Sequence, residues 1–239
     1  MSVPPEYVTR VVQALTPHAN PARAEQMSAY MRDMFPFLGV TSPERKALVR
    51  DALAGMPKPD EPKLLTAADS LWDLPEREYQ YVACDLLVKY VRALTPAALP
   101  TLERLIVTRS WWDTVDAIAT RVVGSIALTF PETRPQMDTW RDSDEMWLVR
   151  TAILHQEKWK GRTDADWVFA ACAQHAEHRD FFIRKAIGWV LRSYAKTDPV
   201  AVQAFVDEQG ERLSGLSRRE ALRGVLRAPR QRTAPGTGS

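Results

Sequence analysis

Three observations predict an all-α protein, a HEAT-like helical-repeat α-solenoid. Apolar residues recur at spacings of three and four along most of the 239 residues, and strand-like alternation is absent. Helix-start signals recur as a capping residue followed by proline at the first helical position: Ser42-Pro43-Glu44, Thr95-Pro96 and Asp198-Pro199. The helices are short, and pairs of them repeat at roughly forty residues without a strict sequence repeat. Such a stack has a concave face, which suits a protein partner, a nucleic-acid duplex or nothing in particular, because fold alone does not set function.

In chain order, helices are expected at 4–16 and 21–34, the second running into "FPFLG", where two aromatics around a proline and a closing glycine mark a helix terminus and tight turn. The next, 43–54, opens at the Ser42-Pro43 signal, and 60–72 and 75–93 follow. Thr95-Pro96 opens 96–108, and 110–127 carries a tryptophan pair. Beyond it come 143–158, 164–177 and 180–195, then 198–209 at Asp198-Pro199, and finally 217–227. A single repeat domain is expected over 1–227, with 228–239 as a disordered basic and Gly/Ser-containing tail.

The composition bounds the function. No apolar run approaches a membrane span and the N-terminus lacks a signal-peptide core, so a cytoplasmic protein without a membrane partner is expected. Cys84 in "YVACDLLV" and Cys172 in "VFAACAQH" lack CxxC spacing and read as buried free thiols. The four histidines are scattered, His175 and His178 forming only a weak HxxH signal, so no metal or other cofactor is expected. Net charge is +2, yet between Arg212 and Arg232 seven arginines accompany one glutamate. A basic segment on a nearly neutral body suits a polyanionic partner, or is simply a solubilising tail.

Four places stand out. In "RSWWDTVDAIATRVVG", residues 109–124, Trp111, Val115, Ile118 and Val122 form a core-facing stripe. Trp112 lies about 100° round the wheel, on a face with Asp116. Either Trp112 covers a neighbouring helix while Asp116 caps a loop or pairs with an arginine, or ring and carboxylate face a ligand. Arg150 has apolar Met146, Trp147, Ile153 and Leu154 one turn away on either side, so it needs an anion, from this protein or from a ligand phosphate. Lys158 and Lys160 flank Trp159.

In "FFIRKAIGWVLRSYAK", Ile183, Ile187, Val190 and Tyr194 make the core stripe. Opposite run Lys185, Trp189, Arg192 and Lys196, three cations and a ring on a face otherwise free of acids, which suits phosphate tracking or is a solvated face with one exposed tryptophan. Tyr30, a turn before "FPFLG", reads on its own as ordinary core.

The blocks "AYMRDMFPFLGVTSPER", "PEREYQYVACDLL", "SWWDTVD", "EMWLVRTAILHQEKWK", "FFIRKAIGWVLRSYAKTDP" and "LSRREALR" follow one another as in the AlkD family of DNA alkylation-repair enzymes, which the chain resembles from about Tyr30 to Arg223. That resemblance implies a DNA glycosylase built from HEAT-like repeats that releases cationic alkylated purines, such as 3-methyladenine and 7-methylguanine, from duplex DNA for base excision repair; a monomer is expected. It places Trp112, Asp116 and Arg150 in the catalytic cleft, Trp189 as a second cleft tryptophan and Tyr30 on the DNA near the lesion. Lys158, Lys160, Lys185, Arg192, Lys196, Arg218 and Arg219 are then expected along the DNA backbone. The competing expectations are a HEAT-like protein that binds DNA structures without cleaving a bond, and a protein-interaction scaffold.

Overall fold

In the computed structural model, which describes residues 5–227, every regular element is helical. The α-helices are α1 (Glu6–Leu15), α2 (Pro21–Tyr30), α3 (Ser42–Ala52), α4 (Glu61–Trp72), α5 (Arg77–Lys89), α6 (Leu99–Val107), α7 (Trp112–Ala117), α8 (Gly124–Thr129), α9 (Arg134–Arg141), α10 (Met146–Leu154), α11 (Ala165–Gln174), α12 (Phe181–Tyr194), α13 (Pro199–Gln209) and α14 (Gly215–Arg227). Side-chain caps explain several starts: Asn20, Asp60, Asp164, Asp180 and Asp198 each accept a bond from a backbone N–H of the first turn. No described helix is long and apolar enough to cross a membrane. The expected tail, 228–239, lies outside the described residues.

The chain divides into two compact units at the start of α9, between Arg134 and Pro135. In the N-terminal unit α4 and α5 form a helical hairpin, with α6 against α4 and α7 against α5. Its core is built from residues such as Leu64, Leu71, Trp72, Leu87, Leu102 and Ile106, all at most 1% exposed. In the C-terminal unit α12 is central, packed on α10 and most extensively on α14. Their close approach depends on two glycines. A Cβ on Gly188 would stand 2.7 Å from Glu220 Cβ, and one on Gly224 would stand 2.6 Å from the Arg192 carbonyl oxygen. Ile183, Ile187 and Val190 fill this core as their spacing predicts, each contributing about 1.5–3 kcal/mol. Cys84 and Cys172 are free and buried, and burial pushes the Cys84 thiol up to about 12, far from the reactive thiolate range.

Several boundaries differ from expectation. The helix expected over 21–34 stops at Tyr30, because Arg32 and Asp33 take left-handed backbone with φ of 57° and 56°. Helix α9 was not expected; it is short, starts beside Pro135 and buries only Met137 and Trp140, too little periodicity to register. The helix expected over 110–127 is instead α7 and α8 joined by a π-helical turn at Ile118–Val123.

Candidate nucleic-acid interface

The tryptophan pair is separated by the start of α7. Trp111 precedes the helix in extended backbone (φ −159°, ψ 160°), so it does not belong to the Val115 stripe. Its half-buried ring packs on Met31, Phe35 and Phe37, which corrects the expectation that it lies on the helix core face. Val115, Ile118 and Val122 are fully buried as expected. Trp112 opens α7 at 36% exposure, and Asp116, one turn later on the same face, is half-buried. Ring and carboxylate thus share a face that reaches solvent. The π turn begins two residues beyond Asp116, whose carbonyl accepts from Thr120 Oγ1 at 2.8 Å. Such turns frequently mark functional sites.

The other aspartate of the motif has a different task, which the helical wheel could not reveal. Asp113 accepts from Arg77 Nε at 3.1 Å and Nη2 at 2.5 Å, and from the Tyr81 hydroxyl at 2.6 Å. Arg77 is fully buried, and the Asp113 side chain nearly so. Burial, with the Asp113 carboxylate as a second cause, drives the Tyr81 phenol well above the usual tyrosine range, so it remains a donor. Tyr30 is 75% exposed at the end of α2, which removes the core reading for it.

In the C-terminal unit, Arg150 on α10 is 3% exposed and donates from Nη1 to the Phe182 carbonyl at the start of α12. Its guanidinium carbon also lies 5.8 Å from the centroid of the Phe182 ring. Trp189 is half-buried on α12. Lys185 and Arg192 flank it, but the expectation that their face is free of acids is wrong: Glu220 of α14 lies among them. Its carboxylate pairs with Arg192, lies 3.9 Å from Lys185 and accepts from Arg223 at 2.9 Å. Three cations share one carboxylate, so the cluster keeps a net positive charge. On α14, Arg218 is half-buried and Arg219 exposed.

Lys158, Lys160 and Lys196 come together around a cavity of about 270 Å³. Lys158 is paired with Glu157 at 2.9 Å, and Glu157 is also held by the Ser193 hydroxyl at 2.6 Å. Among the described residues, positive φ outside glycine occurs at Arg32, Asp33, Arg109 and Lys160, each within three residues of Tyr30, Trp112 or Lys158. Strained backbone of this kind clusters at functional sites. No group of three or more His, Cys, Asp or Glu among the described residues is placed to hold a metal ion.

The model of one protein family, the DNA alkylation repair enzymes, matches residues 11–225. The chain belongs to that family. Among solved structures, it is similar to a protein of Enterococcus faecalis described as a predicted DNA alkylation repair enzyme, at 33% identity and a TM-score of 0.80, covering 88% of this chain and 98% of that one. No curated protein matches. Membership of the DNA alkylation repair family supports a DNA repair role, DNA as the partner and enzyme status.

Proposed function

We propose that this DNA alkylation repair protein is a monofunctional glycosylase that hydrolyses the N-glycosidic bond of cationic alkylated purines, such as 3-methyladenine and 7-methylguanine, in duplex DNA. The observation that carries the reading is the pairing of half-exposed Trp112 with Asp116 on one solvent-reaching face of α7, in a chain of this family. An N3- or N7-alkylated purine is already a cation, so it leaves without a general acid. As the bond from C1′ to nitrogen breaks, its electron pair neutralises the purine and the sugar becomes oxocarbenium-like. A fixed Asp116 carboxylate opposes that positive charge and orients the water whose oxygen bonds to C1′, the displaced proton passing to the carboxylate or to solvent. The Trp112 ring offers a π face to the cationic base, and half-buried Trp189 on α12 meets the DNA. Arg150 presents charge to a backbone phosphate from a guanidinium pre-anchored on the Phe182 carbonyl. Tyr30 and the cations around Glu220 and Lys196, with Arg218 and Arg219, meet the duplex.

The test is incubation with methylated duplex DNA and chromatography of the released bases. Free 3-methyladenine and 7-methylguanine are expected, whereas duplexes carrying uracil or 8-oxoguanine yield none, because those neutral leaving groups need a stabiliser that Asp116 does not provide. Tight DNA binding without release of any methylated base would establish the non-catalytic alternative, and efficient uracil release would contradict the mechanism.

A further inference from the structure

Two adjacent residues at the start of α5 hold the chain that launches Trp112 and the segment that follows the helix ending at Tyr30. Arg77 grips the chain that launches α7. Its Nη1 donates to the Arg109 carbonyl at 2.8 Å, its Nε and Nη2 to Asp113, and Nη2 also to Thr114 Oγ1 at 3.0 Å. Arg109 sits in left-handed backbone (φ 50°), a conformation that persists in a non-glycine residue only where surrounding bonds over-determine it. The neighbouring Glu78, also fully buried, grips the segment after α2. Its carboxylate accepts from the backbone N–H groups of Leu38, Gly39 and Val40 at 2.9, 2.8 and 3.1 Å. The Arg77 backbone N–H adds a bond to the Pro36 carbonyl at 2.9 Å, and its guanidinium stacks 3.9 Å over the Phe35 ring. Phe35 belongs to the cluster on which Trp111 packs.

We propose that Arg77 and Glu78, with Asp113 and Tyr81, act as positioning residues for base release: a buried clamp that fixes the Trp112–Asp116 face in register with the turn that follows Tyr30. This rests on the glycosylase reading above. A buried ion pair is weak evidence of net stability; what this one supplies, on our proposal, is orientation, which a carboxylate opposing a transient cation requires. Displacement of about 1 Å is enough to lose about 10²-fold in rate.

Asp113→Asn and the milder Tyr81→Phe, which removes only the 2.6 Å bond to Asp113, separate positioning from mere support. Both are measured at a temperature where thermal melts show them folded, by single-turnover excision on a 7-methylguanine duplex, DNA affinity and amide hydrogen exchange. The expected result is a fall of about 10–100-fold in the maximal excision rate for Asp113→Asn and a smaller fall for Tyr81→Phe. Affinity should be nearly unchanged, and exchange should be faster at the amides of 112–117. If both folded variants excise at the wild-type rate, or exchange at 112–117 is unaltered, the clamp is only structural and the proposal is overturned. If the wild-type protein releases no base, it is the glycosylase reading that has failed.

Discussion

The two units use buried acids in opposite ways. In the N-terminal unit, Asp113 is matched one to one by Arg77, both nearly inaccessible, and Tyr81 satisfies a remaining lone pair. In the C-terminal unit, Glu220 is equally buried but faces three cations that remain about 40–60% exposed. A matched, dry pair has no charge left for a ligand and little freedom to move, so it sets geometry. An overmatched, wet cluster holds its cations in place while leaving net positive charge for a polyanion. The lesson is a division of labour: the first arrangement suits a site that must aim a carboxylate, the second a surface that must attract DNA.

Breaking the matched pair should have the largest effect on stability. Arg77→Met leaves Asp113 charged and buried without its partner, at a cost of about 3–5 kcal/mol. Urea denaturation should show this as a lower midpoint at unchanged slope, and a shift below about 1 kcal/mol would mean that Asp113 finds water easily. The overmatched cluster should tolerate loss of its acid better. Glu220→Gln removes charge-assisted bonds worth about 1.5–3 kcal/mol, but its three cations can rehydrate. Its second consequence sharpens the comparison: with the acid gone, DNA affinity at low salt should rise, read by fluorescence anisotropy across a salt series. Unchanged or weaker binding by the folded variant would show that Glu220 does not restrain these cations. The smallest effect is expected for Lys185→Ala, which should lower the slope of log affinity against log salt by roughly 0.9 if Lys185 meets one phosphate. An unaltered slope would remove Lys185 from the interface.

How far the sequence could be read follows the same physical division. Stripes within one helix were legible, because a period of 3.6 residues is written in consecutive residues; Val115, Ile118 and Val122, and Ile183, Ile187 and Val190, are buried as predicted. The family resemblance was carried by local blocks and is matched across residues 11–225. Trp111 was misplaced because the wheel assumes a helix on both sides of it, whereas the chain turns at Arg109. The π turn left no trace in the sequence IATRVV, whose residues suit either winding. What stayed hidden was pairing between elements: Arg77 and Asp113 are 36 residues apart, and the acid beside Lys185 and Arg192 arrives from α14. A helical face can be read as acid-free from its own residues and still receive a carboxylate from its neighbour.

Trp111 and Trp112 carry the comparison down to adjacent residues, one packed on the Met31, Phe35 and Phe37 cluster and the other 36% exposed. Trp111→Ala should therefore lower the melting temperature more than Trp112→Ala, and Trp112→Ala should slow excision more in the folded protein. The reverse order in either measurement would undo the assignment of one ring to the fold and the other to the substrate.

The central claim is that Asp116 supplies negative charge to the transition state of base release, and single-turnover excision by Asp116→Asn on one 7-methylguanine duplex tests it most directly. Asparagine preserves the shape and can accept a hydrogen bond from water, but it carries no charge to oppose an oxocarbenium ion. Excision should slow by about 10²–10³-fold, the scale for losing one transition-state stabiliser, with melting temperature and DNA affinity close to wild type. Excision at the wild-type rate by a folded, DNA-binding Asp116→Asn protein would contradict the mechanism.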